Sequence, residues 1–149
     1  MLDGHLVLRR LEAADVEKGF MKCLAQLTKA PEVDSKVFTE QLHAREQQGC
    51  HTVVIEDSST QQVVGTASLL IERKFIWGCS KAGHIEDVVV DSRYRGHHLG
   101  QRLIDELVSM ACSYGCYKII LDCARSNMEF YNKCGFEEKG VEMAKYITS

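Results

Sequence analysis

Between an apolar run and a helical pattern the chain carries Arg93-Tyr94-Arg95-Gly96-His97-His98, inside IEDVVVDSRYRGHHLGQRLIDEL, residues 85–107. Positive charge and glycine, placed where a strand hands over to a helix, suit an anion. The first backbone N–H groups of a helix have no partner within it. They give that end about half a positive charge, and together they bind anions. Gly96 and Gly100 let backbone approach a ligand closely, and Arg93 and Arg95 add forked donors that match phosphate. A diphosphate fits this description, and so does a solvated loop that uses glycine only to turn. The spacing is neither G-x-x-x-x-G-K-[ST] nor G-x-G-x-x-G, so the two commonest nucleotide fingerprints are absent. Just upstream, Glu86 and Asp87 set two carboxylates side by side. Neighbouring side chains of a strand point to opposite faces, so only one of the pair is expected to face a given pocket.

Elements must hold these groups in place. HLVLRRL alternates and predicts a strand over roughly residues 5–10. Asp15 can cap a helix carrying Val16, Phe20, Cys23, Leu24 and Leu27 at helical spacing, which Pro31 breaks. Asp34 or Ser35 can cap a second, with Val37, Phe38 and Leu42 on one face and Gly49 as its stop. HTVVIED and QVVGTASLLIERK read as strands joined by the hairpin turn SSTQQ. KFIWGCSKAG is a loop that is both aromatic and basic, and HIEDVVV is a further strand. LGQRLIDELVSMAC is a helix with Leu99, Leu103, Ile104, Leu107 and Met110 inward, ended by Gly115. CYKIILD is a strand too apolar for an edge with one wet face. SNMEFYNKCG is a short helix, and FEEKGVEMAKYI closes the chain as one strand, or two broken near Gly140. The order is β-α-α-β-β-β-α-β-α-β. The unit over residues 84–122 demands a parallel pair with a right-handed crossover, while the early strands can pair antiparallel. The fold class is α/β: a mixed sheet with helices on its faces.

A length of 149 residues fits one domain, residues 1–149, with a core large enough to stand without metal or disulfide. Lys+Arg of 18 against Asp+Glu of 21 gives 18 − 21 = −3, a poor balance for a general nucleic-acid binder. No apolar run approaches the ~20 residues of a membrane span. The first ten residues lack a signal-peptide core, which makes the cytoplasm the expected location. The seven cysteines form no C-x-x-C pair and no zinc-like spacing, so buried, reduced thiols are expected and no metal.

The strand VVV, then RGHHLG, then a helix resembles the acetyl-CoA signature [Q/R]-x-x-G-x-[G/A] of the GNAT acetyltransferase superfamily. Arg95 and Gly100 match its ends, while His98 stands at its internal glycine. Backbone donors survive that side chain provided φ stays negative. IEDVVV, RGHHLG, CYKIILDC and FYNKCGF in that order, with RRLEAADVEKGFMKCLAQLT and ASLLIERKFI before them, are similar to the glucosamine-6-phosphate N-acetyltransferase branch of that superfamily, over about residues 5–143.

The resemblance implies a GNAT fold and a homodimer that shares its site across the interface. It implies acetyl transfer from acetyl-CoA to the 2-amino group of glucosamine 6-phosphate, a step toward UDP-N-acetylglucosamine. It places the pantetheine arm beside Val88 to Val90, with the Val88 N–H on the thioester carbonyl. The cofactor phosphates fall on Arg95, Gly96, His97, His98, Leu99, Gly100 and Gln101. Tyr131 matches the tyrosine that protonates or stabilises the leaving thiolate, and Lys133 falls among the cofactor contacts. Asn127 is a cofactor contact or an N-cap. Glu86 and Asp122 are the candidates for taking the amine proton, and an amine that binds already deprotonated needs neither. Glu86, Asp87 and Val88, with Thr28, Lys74, Phe75, Ile76, Trp77, Tyr117 and Lys118, match the acceptor-binding segments. Near the C-terminus the branch has an arginine for the phosphate, and Lys145 is the cation available here, as a point charge. Two other functions fit the residues: an acetyltransferase for another small amine, polyamine or peptide N-terminus, and a non-catalytic acyl-CoA-binding module.

Overall fold

Alternation along five segments of the chain builds one sheet. The computed structural model describes residues 4–148. Strands β1 (Leu6–Arg10), β2 (Cys50–Asp57), β3 (Gln62–Arg73), β4 (Lys81–Val90) and β5 (Cys116–Ile120) lie side by side in sequence order. The pairings from β1 to β4 are antiparallel and β4–β5 is parallel, as the mixed sheet required.

Helix α4 (Leu99–Ser113) covers one face of the sheet. Its Leu99, Leu103, Ile104 and Leu107 recur three or four apart and are at most 2% exposed. They pack on Val53, Ile55, Leu69 and Ile85. Burying each such side chain stabilises the fold by about 1.5–3 kcal/mol. The other face is covered by α1 (Phe20–Leu24) and α2 (Ser35–Gln47), whose Phe20, Phe38 and Leu42 pack on Val54, Val63 and Val89. Asp34 caps α2 by accepting from the Lys36 N–H at 2.7 Å, and Gly49 ends it at φ 81°. Between β3 and β4 the chain makes a left-handed turn, α3 (Ile76–Cys79), and after β5 a short helix, α5 (Met128–Lys133).

Five expectations are corrected. The first helix is split: a 3-10 turn, Ala13–Glu17, precedes Gly19 at φ 76°, and only Phe20–Leu24 is α-helical. Lys18 is drawn to the sheet instead, its carbonyl accepting from the Val63 N–H at 2.8 Å. Asp15 is no cap for that helix. It is fully buried against Arg9. β5 is an edge strand despite its apolar sequence, with Ile120 41% exposed. Residues 137–148 form no strand, because alternation alone does not make one without a partner ladder. Of the cysteines only Cys23 is buried, while Cys79, Cys112 and Cys123 are exposed.

Candidate active site

The site starts with an irregularity in β4. Thr66 pairs with Val89 and Ser68 with Glu86, so Ala67 alone opposes both Asp87 and Val88. This is a β-bulge, and Asp87 takes its kink at φ 51°. A left-handed non-glycine costs about 1–3 kcal/mol and collects at functional sites. The bulge also shifts the alternation. Gly83 and Ile85 point toward α4 before it, and Val88 and Val90 do so after it. Asp87 lines a cavity of about 320 Å³ with Phe20 and Phe38 under α1 and α2, and Glu86 points to that same side by alternation from Ile85. The expectation that Glu86 and Asp87 face opposite sides is therefore wrong, because the extra residue re-aims one of them. Their proximity has an electrostatic result. Burial, and then the negative charges of Asp87 and Asp122, raise the Glu86 carboxyl above its ordinary range. That change suits a proton acceptor working nearer neutrality.

Beyond the bulge the sheet opens. The β4–β5 ladder stops at His84–Ile120, so residues 86–90 of β4 have no ladder on that side. Backbone donors and acceptors, the Val88 N–H among them, are left without a β5 partner. An open groove of about 920 Å³ runs along β5 and brings Lys118, Asp122 and Tyr131 together with the segment 137–142. Tyr131 lies in α5, edge-on between Phe130 at 4.9 Å and Phe136 at 6.2 Å. Burial, and then the nearby Cys123 and Cys134, raise its phenol above the usual value. It therefore stays protonated and able to donate.

At the head of α4, Gly96 turns at φ 87° and His98 is the N-cap at φ 59°. The condition of a negative φ at His98 is not met: the position keeps the left-handed backbone that glycine favours, at a cost of about 1–2 kcal/mol for histidine, so the turn's N–H groups follow the path a glycine there would give them. The His98 side chain makes no capping hydrogen bond, so the N–H groups of Leu99, Gly100 and Gln101 start the helix uncapped. Gly100 has a tertiary reason as well, since a Cβ there would lie 3.1 Å from the Phe130 ring. Arg93 is not a free phosphate ligand. Its backbone N–H, Nε and Nη2 all bond the Asp91 carboxylate, at 2.9, 3.1 and 3.0 Å. Arg95 and His97 are exposed.

The aromatic, basic loop takes left-handed backbone at Trp77, Gly78 and Cys79. Trp77 thereby stacks on Tyr117 at 5.3 Å, and the Lys118 ammonium lies 5.6 Å from the same ring. Phe75 is 94% exposed beside them and Ile76 half exposed. Lys74 pairs with Glu72 at 3.2 Å, and Glu72 also meets His84 Nε2 at 2.9 Å. The Tyr117 hydroxyl is buried and has no hydrogen-bond partner among the described residues.

The single chain thus joins Glu86 electrostatically to Asp122, gathers Asp122, Lys118 and Tyr131 in one groove, and stacks Trp77 on Tyr117. It does not bring Thr28 or Lys145 to them: Thr28 lies exposed after α1, and Lys145 lies exposed in the C-terminal segment. Asn127 is the N-cap residue of α5 by position, but its side chain makes no capping bond. Lys133 is exposed and lies 3.7 Å from Glu129. Among the described residues no cluster could hold a metal ion. Sequence reasoning passed over Glu72 and His84, and also Arg45, whose guanidinium donates to Thr52 and Ser68 at 2.8 and 3.0 Å beneath Asp87's cavity. Glu72 is visible in sequence only as a strand carboxylate two residues before Lys74. Arg45 carries no signal apart from the tertiary fold.

Known proteins match this arrangement along its length. Residues 14–136 match the acetyltransferase (GNAT) family. The chain is 44% identical to a glucosamine 6-phosphate N-acetyltransferase of Arabidopsis thaliana, over 94% of this chain and 95% of that one. It is 41% identical to the glucosamine 6-phosphate N-acetyltransferase 1 of Dictyostelium discoideum, over 99% and 94%. The crystal structure of the glucosamine-6-phosphate N-acetyltransferase from Arabidopsis thaliana superposes with a TM-score of 0.93 at 41% identity, covering 96% of this chain and 99% of that one. A mixed five-stranded sheet that splays beside a bulged β4, and a glycine-bearing turn into an uncapped α4, meet those matches in a single conclusion: the chain belongs to the acetyltransferase (GNAT) family and is an acetyl-CoA-dependent N-acetyltransferase.

Proposed function

We propose that the protein, acting as one catalytic domain, transfers the acetyl group of acetyl-CoA to the 2-amino group of glucosamine 6-phosphate, giving N-acetylglucosamine 6-phosphate and CoA. The observation that carries this is near full-length identity of 41–44% to enzymes named for that reaction. The amine nitrogen forms its bond to the thioester carbon, the C–S bond breaks, the amine gives up a proton and the sulfur takes one.

The chain's own groups suit each part. The uncapped N–H groups of residues 99–101, with Arg95, Gly96, His97 and His98, receive the cofactor phosphates. Val88 and Val90 offer backbone in the splayed wedge, where the Val88 N–H holds the developing oxyanion. Tyr131, kept protonated by burial, supplies the proton for the thiolate. Asn127, at the N-cap of α5, and Lys133, at its last residue, add cofactor contacts. Glu86, with its raised pKa and with Asp122 close by, receives the amine proton. Thr28, Asp87, Lys74, Phe75, Ile76, Trp77, Tyr117 and Lys118 bind the acceptor, and an acceptor oxygen would give the buried Tyr117 hydroxyl its missing partner.

A homodimer completes this site. A bare β5 edge and a C-terminal segment with Val141, Met143, Tyr146 and Ile147 all at least 77% exposed are what a second copy would cover. Lys145 in that segment would then reach the phosphate of the partner's acceptor. No helix among the described residues is long and apolar enough to cross a membrane. A cytoplasmic setting suits a chain with three exposed free thiols, which an oxidising compartment would pair or modify.

Thiol release from acetyl-CoA tests the acceptor, with glucosamine 6-phosphate and glucosamine in parallel. Fast release with the phosphorylated sugar alone is expected. Equal rates with both would overturn the phosphate's part, and release with neither would remove the sugar.

A further inference from the structure

Tyr94 is the last residue of the 3-10 turn Ser92–Tyr94, directly before residues 95–98 that lead into α4. Its ring packs on the α4 face of the core. Its hydroxyl reaches out of the turn and donates to Asp57 Oδ2 at 2.5 Å. Asp57 ends β2, is only 4% exposed, and comes from a hairpin 37 positions away. Its other oxygen accepts from the Ser59 N–H at 2.9 Å and the Ser59 hydroxyl at 2.6 Å. Both carboxylate oxygens are therefore fixed. The Ser59 and Tyr94 hydrogen bonds hold Asp57 at about 2, so it remains an acceptor at any working pH.

The rest of the turn is tied as well. The Asp91 N–H donates to the Val64 carbonyl at 2.8 Å, and the Ser92 N–H donates to Gln26 Oε1 at 2.9 Å. After Tyr94 these ties stop. Residues 95–97 are exposed and make no hydrogen bond among the described residues. Tyr94 is thus the last fixed point before the turn that carries Arg95 and Gly96, and the next is the first buried residue of α4, Leu99.

We infer that Tyr94 and Asp57 are a positioning pair for cofactor binding, whose hydrogen bond anchors the root of residues 95–98 so that Arg95 and the uncapped N–H groups of α4 meet the diphosphate of acetyl-CoA as a preset surface. This rests on the proposed reading of residues 95–101 as the phosphate site. Without the anchor the turn must be ordered at binding. Ordering a residue or two costs roughly tenfold in affinity.

The test compares two donors, acetyl-CoA and S-acetylpantetheine, which carries the same thioester without the diphosphate. Tyr94→Phe removes one oxygen and keeps the ring in the core. The expected result is a KM for acetyl-CoA raised roughly tenfold, kcat within about twofold, and an unchanged KM for acetylpantetheine. Asp57→Asn should raise the same KM, and the double variant should be no worse than the worse single one. An equal loss on both donors, no loss on acetyl-CoA, or additive effects of the two substitutions would overturn the pair. If the wild-type protein binds the two donors equally well, residues 95–101 hold no diphosphate, and the inference falls with that reading. If it prefers acetyl-CoA and Tyr94→Phe leaves that preference intact, the inference alone falls.

Discussion

β1 and β5 are both five-residue strands at the edges of one sheet, yet the charged side chains beside β1 are tied to one another, while those beside β5 line an open groove. On β1, Arg9 grips the buried Asp15 with two hydrogen bonds of 2.9 and 2.7 Å and reaches Glu56 at 3.1 Å, while Lys18 joins Glu56 at 3.0 Å. On β5, Ile120 is 41% exposed and the following segment passes without pairing. Tyr131, Asp122 and Lys118 all belong to the bare side. Charged side chains that satisfy one another leave no partner to be supplied from outside. An edge left with open backbone and apolar side chains has somewhere to receive a ligand and a second copy.

The ion-pair network beside β1 breaks most severely. Arg9→Ala leaves Asp15 buried without its cation and should cost about 3–5 kcal/mol in chemical denaturation. A loss under 1 kcal/mol would mean that the network is ornamental. On the open edge, Tyr131→Phe removes a hydroxyl and little packing. It should lower kcat about 100-fold with the unfolding midpoint close to wild type, and steady-state rates beside a thermal melt would separate those effects. Ile147→Lys probes the same edge as an interface. The side chain is 85% exposed in the single chain, so monomer stability should hold while the dissociation constant of the proposed dimer rises by a factor of about thirty, equivalent to roughly 2 kcal/mol. Sedimentation velocity across a concentration series reads this directly, and an unchanged distribution would argue against the interface. The smallest effect concerns Glu86, raised first by burial and then by Asp87. A carboxylate base works above its pKa, and removing a like charge lowers that pKa. The acid limb of kcat/KM should therefore move to lower pH in Asp87→Asn. A limb that stays in place or moves upward would exclude Glu86 as the base.

The parts of the fold legible in the chain were those in which local pattern and burial agree. Leu99, Leu103, Ile104 and Leu107 announced α4, and Gly49 and Gly115 announced where α2 and α4 stop. The parallel β4–β5 pair followed from the strand–helix–strand order. The turn into α4 was legible from charge and glycine as a candidate anion site, beside the alternative of a solvated loop. What stayed hidden depended on partners distant in sequence. Arg93 looked like a phosphate ligand until Asp91 claimed it. Asp15 looked like a helix cap until Arg9 did. Gly100 looked like a concession to a ligand, and Phe130 supplies a second reason for it.

By itself the chain determined an amphipathic α4, four antiparallel-capable strands, a crossover into β5 and a basic, glycine-bearing turn where that crossover helix begins. Those features follow from spacing, capping and backbone freedom, which act within a few residues. Only the tertiary structure decided the bulge that turns Glu86 and Asp87 to one side, the left-handed backbone of His98, the edge position of β5 and the bond from Tyr94 to Asp57. Each of these depends on strand register or on a contact between segments distant along the chain. A register slip of a single residue re-aims a side chain while leaving the local sequence pattern unchanged.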